Sequence, residues 1–274
     1  MTERKHSVLI SGLPHSFTKE IHDHQRNFSV TMLMHDDDCP QVIPCSGTLA
    51  QINGFNGVIT ARHVWEEARK HEFLLTLVGR DNYTFETKYL TPAIPQATGD
   101  LKEFRVRVPD IGFVRLPDKY ASDLEAKGKA FFNLDKRVAA KSYLPDMAEG
   151  YWTIFGNPDE LLDVKRKKVS SFVYGTGVSK QFEEAGWDYF VMNLDIPANL
   201  DIPKDFSGMS GGGIWWTRWA CDEKFEKFVV ANLSEDTKVA GVSFFQTGSQ
   251  SRMLLGHGPK SIYELLYQHV LETI

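Results

Sequence analysis

Short apolar runs separated by turn residues dominate the chain. Val, Ile, Thr, Phe, Tyr and Trp gather at residues 30–34, 47–52, 57–60, 73–78, 111–116, 151–155, 169–174, 189–193, 213–216, 228–231 and 239–245, bounded by Gly, Pro, Asn and Asp. Branched and aromatic side chains pack well on a pleated surface, so these runs predict β-strands. Asn53-Gly54 and Asn56-Gly57 mark turns between two of them. Many short strands with frequent turns predict a sandwich or barrel. Helical spacing is rarer. Residues 16–24 and 121–129 predict short helices, and 259–274 predicts a terminal one, with Ile262, Leu265, Leu266 and Val270 on one face. The chain shows no internal repeat.

Composition narrows the class. The 274 residues are 42% hydrophobic and 24% charged, which describes a globular protein able to bury a core. A net charge of −5 argues against a nucleic-acid binder, whose footprint is basic. Cys39, Cys45 and Cys221 are too few for a disulfide framework and suit a reducing compartment. The N-terminus does not read as a signal peptide, and no run approaches the ~20 apolar residues that cross a membrane. A soluble cytoplasmic protein without a membrane partner is therefore expected. Lys165–Lys168 reads as a solvated hairpin tip, and Asp36–Asp38, His22 and His24 as solvated loops without metal-ligand spacing.

The candidate chemistry begins at Gly208-Met209-Ser210-Gly211-Gly212. A serine hydroxyl is a weak nucleophile unless a base takes its proton, a third group orients the base, and donors receive the oxyanion. Glycines leave room for a carbonyl and free the backbone to aim its N–H groups. His63 follows the apolar run that ends at Thr60 and supplies a candidate base. Asp110 precedes the alternating run 111–116 and supplies a candidate orienting acid, with Asp100, Glu103 and Asp118 as nearby rivals.

Gly47-Thr48-Leu49, then the run from Val58 through His63 to Val64, then Asp110 to Leu116, then Gly208 to Gly213, together resemble the trypsin-like (chymotrypsin-fold) serine peptidases. The order His, Asp, Ser is that family's order, with gaps of 47 and 100 residues. Ile154-Phe155-Gly156-Asn157-Pro158 is similar to a segment of the HtrA/Deg-type bacterial peptidase domain. The resemblance spans roughly residues 28–256 and implies an all-β fold of two six-stranded antiparallel β-barrels. On that basis residues 1–27 form an N-terminal extension, 28–125 the first barrel, 135–256 the second, and 257–274 a C-terminal helix packed on the domain. It implies a serine endopeptidase acting on protein or peptide through a triad and an acyl-enzyme, with no cofactor and no metal. His63 would be general base and then general acid, Asp110 its orienting partner, and Ser210 the nucleophile. The N–H groups of Gly208 and Ser210 would form the oxyanion hole. Lys204, Ser243 and Phe244 would border the substrate pocket.

Two departures qualify the resemblance. Val64 and Met209 stand where secreted members carry a cysteine and an aspartate. Met209 cannot pair with a newly cut N-terminus, so activation by N-terminal cleavage is not expected, and a regulated protease with an activating partner is. The 18 residues after 256 are too few for a PDZ domain. Pocket preference stays open: Lys204 favours an acidic side chain, Asp205 a basic one, and Phe244 and Phe245 an apolar one. Two other readings also stay open. One is a protease-fold binding module with little activity. The other is an α/β-hydrolase-type esterase, in which Ser210 sits on a nucleophile elbow and His257 or His269 serves as base.

Overall fold

The computed structural model describes residues 13–36, 39–78, 81–147, 150–163, 168–194, 203, 206–221, 228–247 and 252–274. Strands dominate, and they assemble into two main sheets. The first is eight-stranded and takes its strands from Ser29–Asp36 through Phe132–Asn133. The second is seven-stranded and runs from Tyr151–Gly156 to Met253–His257. All pairings in them are antiparallel except that of Phe132–Asn133 with Cys39–Ile52. The all-β arrangement of two sheets and a terminal helix matches expectation. The ladders differ in count: among the described residues each sheet is an open path of seven strands, the first with Phe132–Asn133 paired off its path as an eighth, where two barrels of six were expected.

The strands missed by apolar patterning are mostly polar or very short. Val178–Glu184 sits at the edge of the second sheet, with Lys180, Gln181, Glu183 and Glu184 exposed. A charged edge resists pairing with other chains but hides the strand from a hydrophobic scan. Gly99–Leu101 and Val106–Val108 form a small separate hairpin just before Asp110. The run 169–174 is broken into strands Lys168–Val169 and Phe172–Gly175.

Three apolar clusters hold the body together. Leu49, Val58, Trp65 and Phe85 lie in one beneath the first sheet. Trp152, Ile154, Phe190 and Met209 lie in another within the second. Between them, Ile59 and Phe113 of the first sheet meet Phe155, Trp215 and Val242 of the second, closed by Ile262, Tyr263 and Leu266 of the terminal helical segment. Each large apolar side chain buried this way contributes roughly 1.5–3 kcal/mol. The terminal segment is helical as expected, with a π-helical turn Ser261–Leu266 leading into an α-helix Tyr267–Thr273. The helix predicted at 121–129 forms as Asp118–Ala126.

The N-terminal helix His15–Arg26 buries Phe17 and Ile21 against Tyr151. It also corrects the expectation that His22 and His24 lie in solvated loops. His22 Nε2 is 3.0 Å from the Tyr151 hydroxyl, and its burial lowers its pKa to about 4. His24 packs edge-on against Phe28. Lys165–Lys167, Asp37 and Asp38 lie outside the described residues. Among the described residues no helix is long and apolar enough to cross a membrane.

Candidate active site

Strand register brings the candidate base and acid together. Strand Phe55–Thr60 pairs antiparallel with Gly112–Arg115, and Thr60 stands opposite Gly112. The chain leaving Thr60 and the chain entering Gly112 therefore share one end of the sheet. Helix Arg62–Ala68 begins there and turns Val64, Trp65 and Ala68 into the core, leaving His63 about half exposed. Asp110 is buried beside it. Its Oδ1 accepts the His63 backbone N–H at 2.9 Å, and its Oδ2 lies 2.7 Å from His63 Nδ1. A carboxylate only accepts, so the proton of a neutral imidazole sits on Nδ1 and the lone pair on Nε2.

Ser210 arrives from the second half of the chain. It lines the same cleft of about 1380 Å³ as His63 and Asp110. Its backbone is stitched to the first sheet: Ser46 N–H donates to the Ser210 carbonyl at 3.1 Å, and Ser46 Oγ to the Gly208 carbonyl at 2.8 Å. Its hydroxyl donates to the Phe244 carbonyl at 3.3 Å, and among the described residues it has no hydrogen bond to His63.

The turn before Ser210 is built for exposed amides. Met209 N–H donates to the Phe206 carbonyl at 3.0 Å, and Gly208, third residue of that turn, has φ of +87°. This is a type II turn, whose third position favours glycine. Among the described residues the N–H groups of Gly208 and Ser210 have no acceptor. Gly211 is needed for packing, where the sequence had suggested room for substrate. A Cβ there would fall 2.1 Å from the Ser46 carbonyl oxygen, at a φ of +89°.

No protein-family model matches the chain, and no curated protein matches it in sequence. Its architecture does have counterparts among solved structures. The serine endoprotease from Yersinia pestis superposes with a TM-score of 0.53 at 10% identity, over 95% of this chain and 68% of that one. The Rv3671c protein from M. tuberculosis H37Rv, in an inactive mutant form, gives 0.51 at 10% identity, over 97% and 98%. This chain has the trypsin-like serine protease fold. At such identities the likeness is one of architecture.

Within that fold, a second histidine supports the site from below. His257 is fully buried, and its Nε2 accepts the backbone N–H of Asp110 at 3.0 Å. Its Nδ1 therefore carries the proton and faces Ser261 Oγ at 3.2 Å. Ser261 Oγ lies 2.6 Å from Asp188 Oδ1, and the same carboxylate accepts the N–H groups of Lys260 and Ser261 at 3.1 and 2.6 Å. Burial lowers the His257 pKa to about 3, so it stays neutral at ordinary pH. From the sequence alone, His257 stands only as a candidate base of an α/β hydrolase. Its ring is instead bound to Asp110, and the two antiparallel sheets are not that fold. No local motif announces the role, because strand pairing of Tyr189 with His257 creates it.

The remaining site residues divide. Ser243 and Phe244 line the cleft, Ser243 Oγ lying 2.7 Å from the Met209 carbonyl. Phe244 packs its ring on His257. Lys204 and Asp205 lie outside the described residues. Met209 is buried among Ile154, Phe190 and Ile214. Cys45 borders the cleft as a buried free thiol whose pKa burial raises to about 12, so it is no rival nucleophile.

Proposed function

We propose that this chain is a serine endopeptidase that works through Ser210, His63 and Asp110. One observation carries the reading: an imidazole held by a buried carboxylate, with its free nitrogen available to a cleft that a glycine-flanked serine shares. In the proposed cycle Ser210 Oγ attacks the scissile carbonyl as its proton passes to His63 Nε2. His63 then gives that proton to the leaving amine, and the acyl group remains on Ser210 Oγ. Water gives a proton to His63 and attacks the acyl carbon; the bond to Ser210 Oγ then breaks, the carboxylic acid leaves, and His63 returns the proton to Ser210 Oγ. Asp110 keeps the tautomer and stabilises the imidazolium. The N–H groups of Gly208 and Ser210 receive the oxyanion, a contribution commonly worth a few kcal/mol of barrier. The enzyme is proposed to act in the cytoplasm on protein or peptide substrates, its activity regulated by a partner. The buried apolar Met209 supports regulation other than by a cut N-terminus.

A second reading rests on the Ser210 hydroxyl, which engages Phe244 rather than His63. A protease-fold binding module would keep it there. Cleavage of a peptide library, compared between wild type and Ser210→Ala, separates the two. Cleavage lost with the hydroxyl supports the endopeptidase, and binding without cleavage in both proteins supports the module.

A further inference from the structure

Charge in and around the cleft runs opposite to charge over the chain. The whole sequence carries −5, yet Arg62, Arg69, Lys70, Arg105 and Arg107 all line the cleft that holds Ser210. Four acids line it as well: Asp159 lies beside Gly208, and the other three are paired with bases of the cleft. Glu66 pairs with Arg62 at 2.7 Å, Glu67 with Lys70 at 2.5 Å, and Asp110 with His63. Arg69, Arg105 and Arg107 form no ion pair among the described residues, and all three are exposed. Asp100 stands opposite Arg107 in the hairpin without forming an ion pair to it. The three come from separate elements. Arg69 caps the C-terminal end of the His63 helix, Arg105 sits at the tip of the hairpin that precedes Asp110, and Arg107 is on that hairpin's second strand. Arg69 and Arg107 also line a neighbouring hollow of about 580 Å³. They thus stand where the hollow and the cleft meet.

We propose that these arginines bind an acidic stretch of the polypeptide that the cleft takes in, so that substrates carry Asp or Glu close to the scissile bond. The inference rests on the endopeptidase reading and names its substrate class. Guanidinium groups present forked donors that match carboxylates, and like charges without counterions attract an acidic partner. A polypeptide is the occupant favoured here because the wall belongs to the same cleft as Ser210 and His63. Being exposed, the contacts are screened by salt and act most strongly on association.

The test separates this inference from the catalytic reading by measuring binding first. Fluorescence anisotropy with Ser210→Ala compares a peptide carrying several Asp and Glu residues with its Asn and Gln counterpart. The expected result is about tenfold tighter binding of the acidic peptide at low salt. That preference should shrink as salt rises and disappear in Arg105→Glu/Arg107→Glu. Equal affinity for both peptides overturns the proposal, as does an acid preference that survives the charge reversal. A short single-stranded oligonucleotide that binds while the acidic peptide does not also overturns it. Cleavage by the wild-type chain is then scored on the same peptides. If binding behaves as expected but nothing is cut, the endopeptidase reading fails and the acidic-peptide site stands.

Discussion

The two halves of the site are held differently. The Asp110 carboxylate locks His63 at both ring and backbone, lying 2.7 Å from its Nδ1 and accepting its backbone N–H at 2.9 Å, while the Asp110 backbone N–H donates to buried His257 at 3.0 Å. On the Ser210 side it is the backbone that is fixed, tied to Ser46 and Ser243, while the hydroxyl makes a single 3.3 Å bond to Phe244. A neutral hydrogen bond contributes about 1 kcal/mol net, so turning the hydroxyl toward His63 is cheap. The difference teaches that, in the proposed mechanism, the candidate base is oriented before any substrate arrives, whereas the candidate nucleophile is positioned but not yet aligned. Apo sites often tighten in this way when substrate binds.

The sharpest way to break the comparison is to spoil the locked half. Asp110→Asn keeps the shape but places an amide where a carboxylate accepted, favouring the wrong tautomer of His63. A loss of roughly three to four orders of magnitude in kcat is expected in steady-state peptide hydrolysis, with the melting temperature little changed. Next in size is damage to the fixed backbone of the other half. Gly211→Ala forces a Cβ onto the Ser46 carbonyl at a φ of +89°. It should cost on the order of 2–4 kcal/mol in urea unfolding and lower activity with it.

A smaller effect is expected at His257. His257→Phe preserves bulk but leaves the Asp110 N–H buried without an acceptor, costing about 1–3 kcal/mol. A fall of about tenfold in kcat with KM nearly unchanged is expected, and His257→Gln, which restores an acceptor, should recover part of it. A stability loss with kcat intact would make His257 purely structural. The same residue sets a pH dependence. Its pKa falls from 6.5 in the unfolded chain to about 3 in the fold. Below pH 6.5 the unfolded chain takes up a proton that the folded one refuses, so stability declines as pH drops from 6.5 toward 3. At pH 5 the loss from His257 is about 2 kcal/mol, and thermal melts of wild type and His257→Gln should converge there.

Much of this was legible in the sequence, and the limits have physical causes. Runs such as 73–78 and 239–245 carry their strand character locally, and the strands Phe73–Val78 and Thr237–Gln246 follow them closely. Glycines and a serine in one stretch pointed to a nucleophile turn, and flanking patterns led to His63 and Asp110. What stayed hidden depends on partners distant in the chain. His257 meets Asp110 only because sheet pairing and inter-sheet packing bring them together. Gly211 is explained by Ser46, 165 residues earlier. The arginine wall draws on a helix end and on a hairpin whose strands of three residues each are too short to pattern.

The central claim is that His63, oriented by Asp110, activates Ser210. Mass spectrometry after treatment with a fluorophosphonate tests it most directly, because the adduct reports which oxygen became nucleophilic. One adduct is expected on the peptide containing Ser210 in the wild-type chain, and none in His63→Ala at the same exposure. Labelling of Ser210 that proceeds equally well without His63, or no adduct on Ser210 in the wild-type chain, would contradict it.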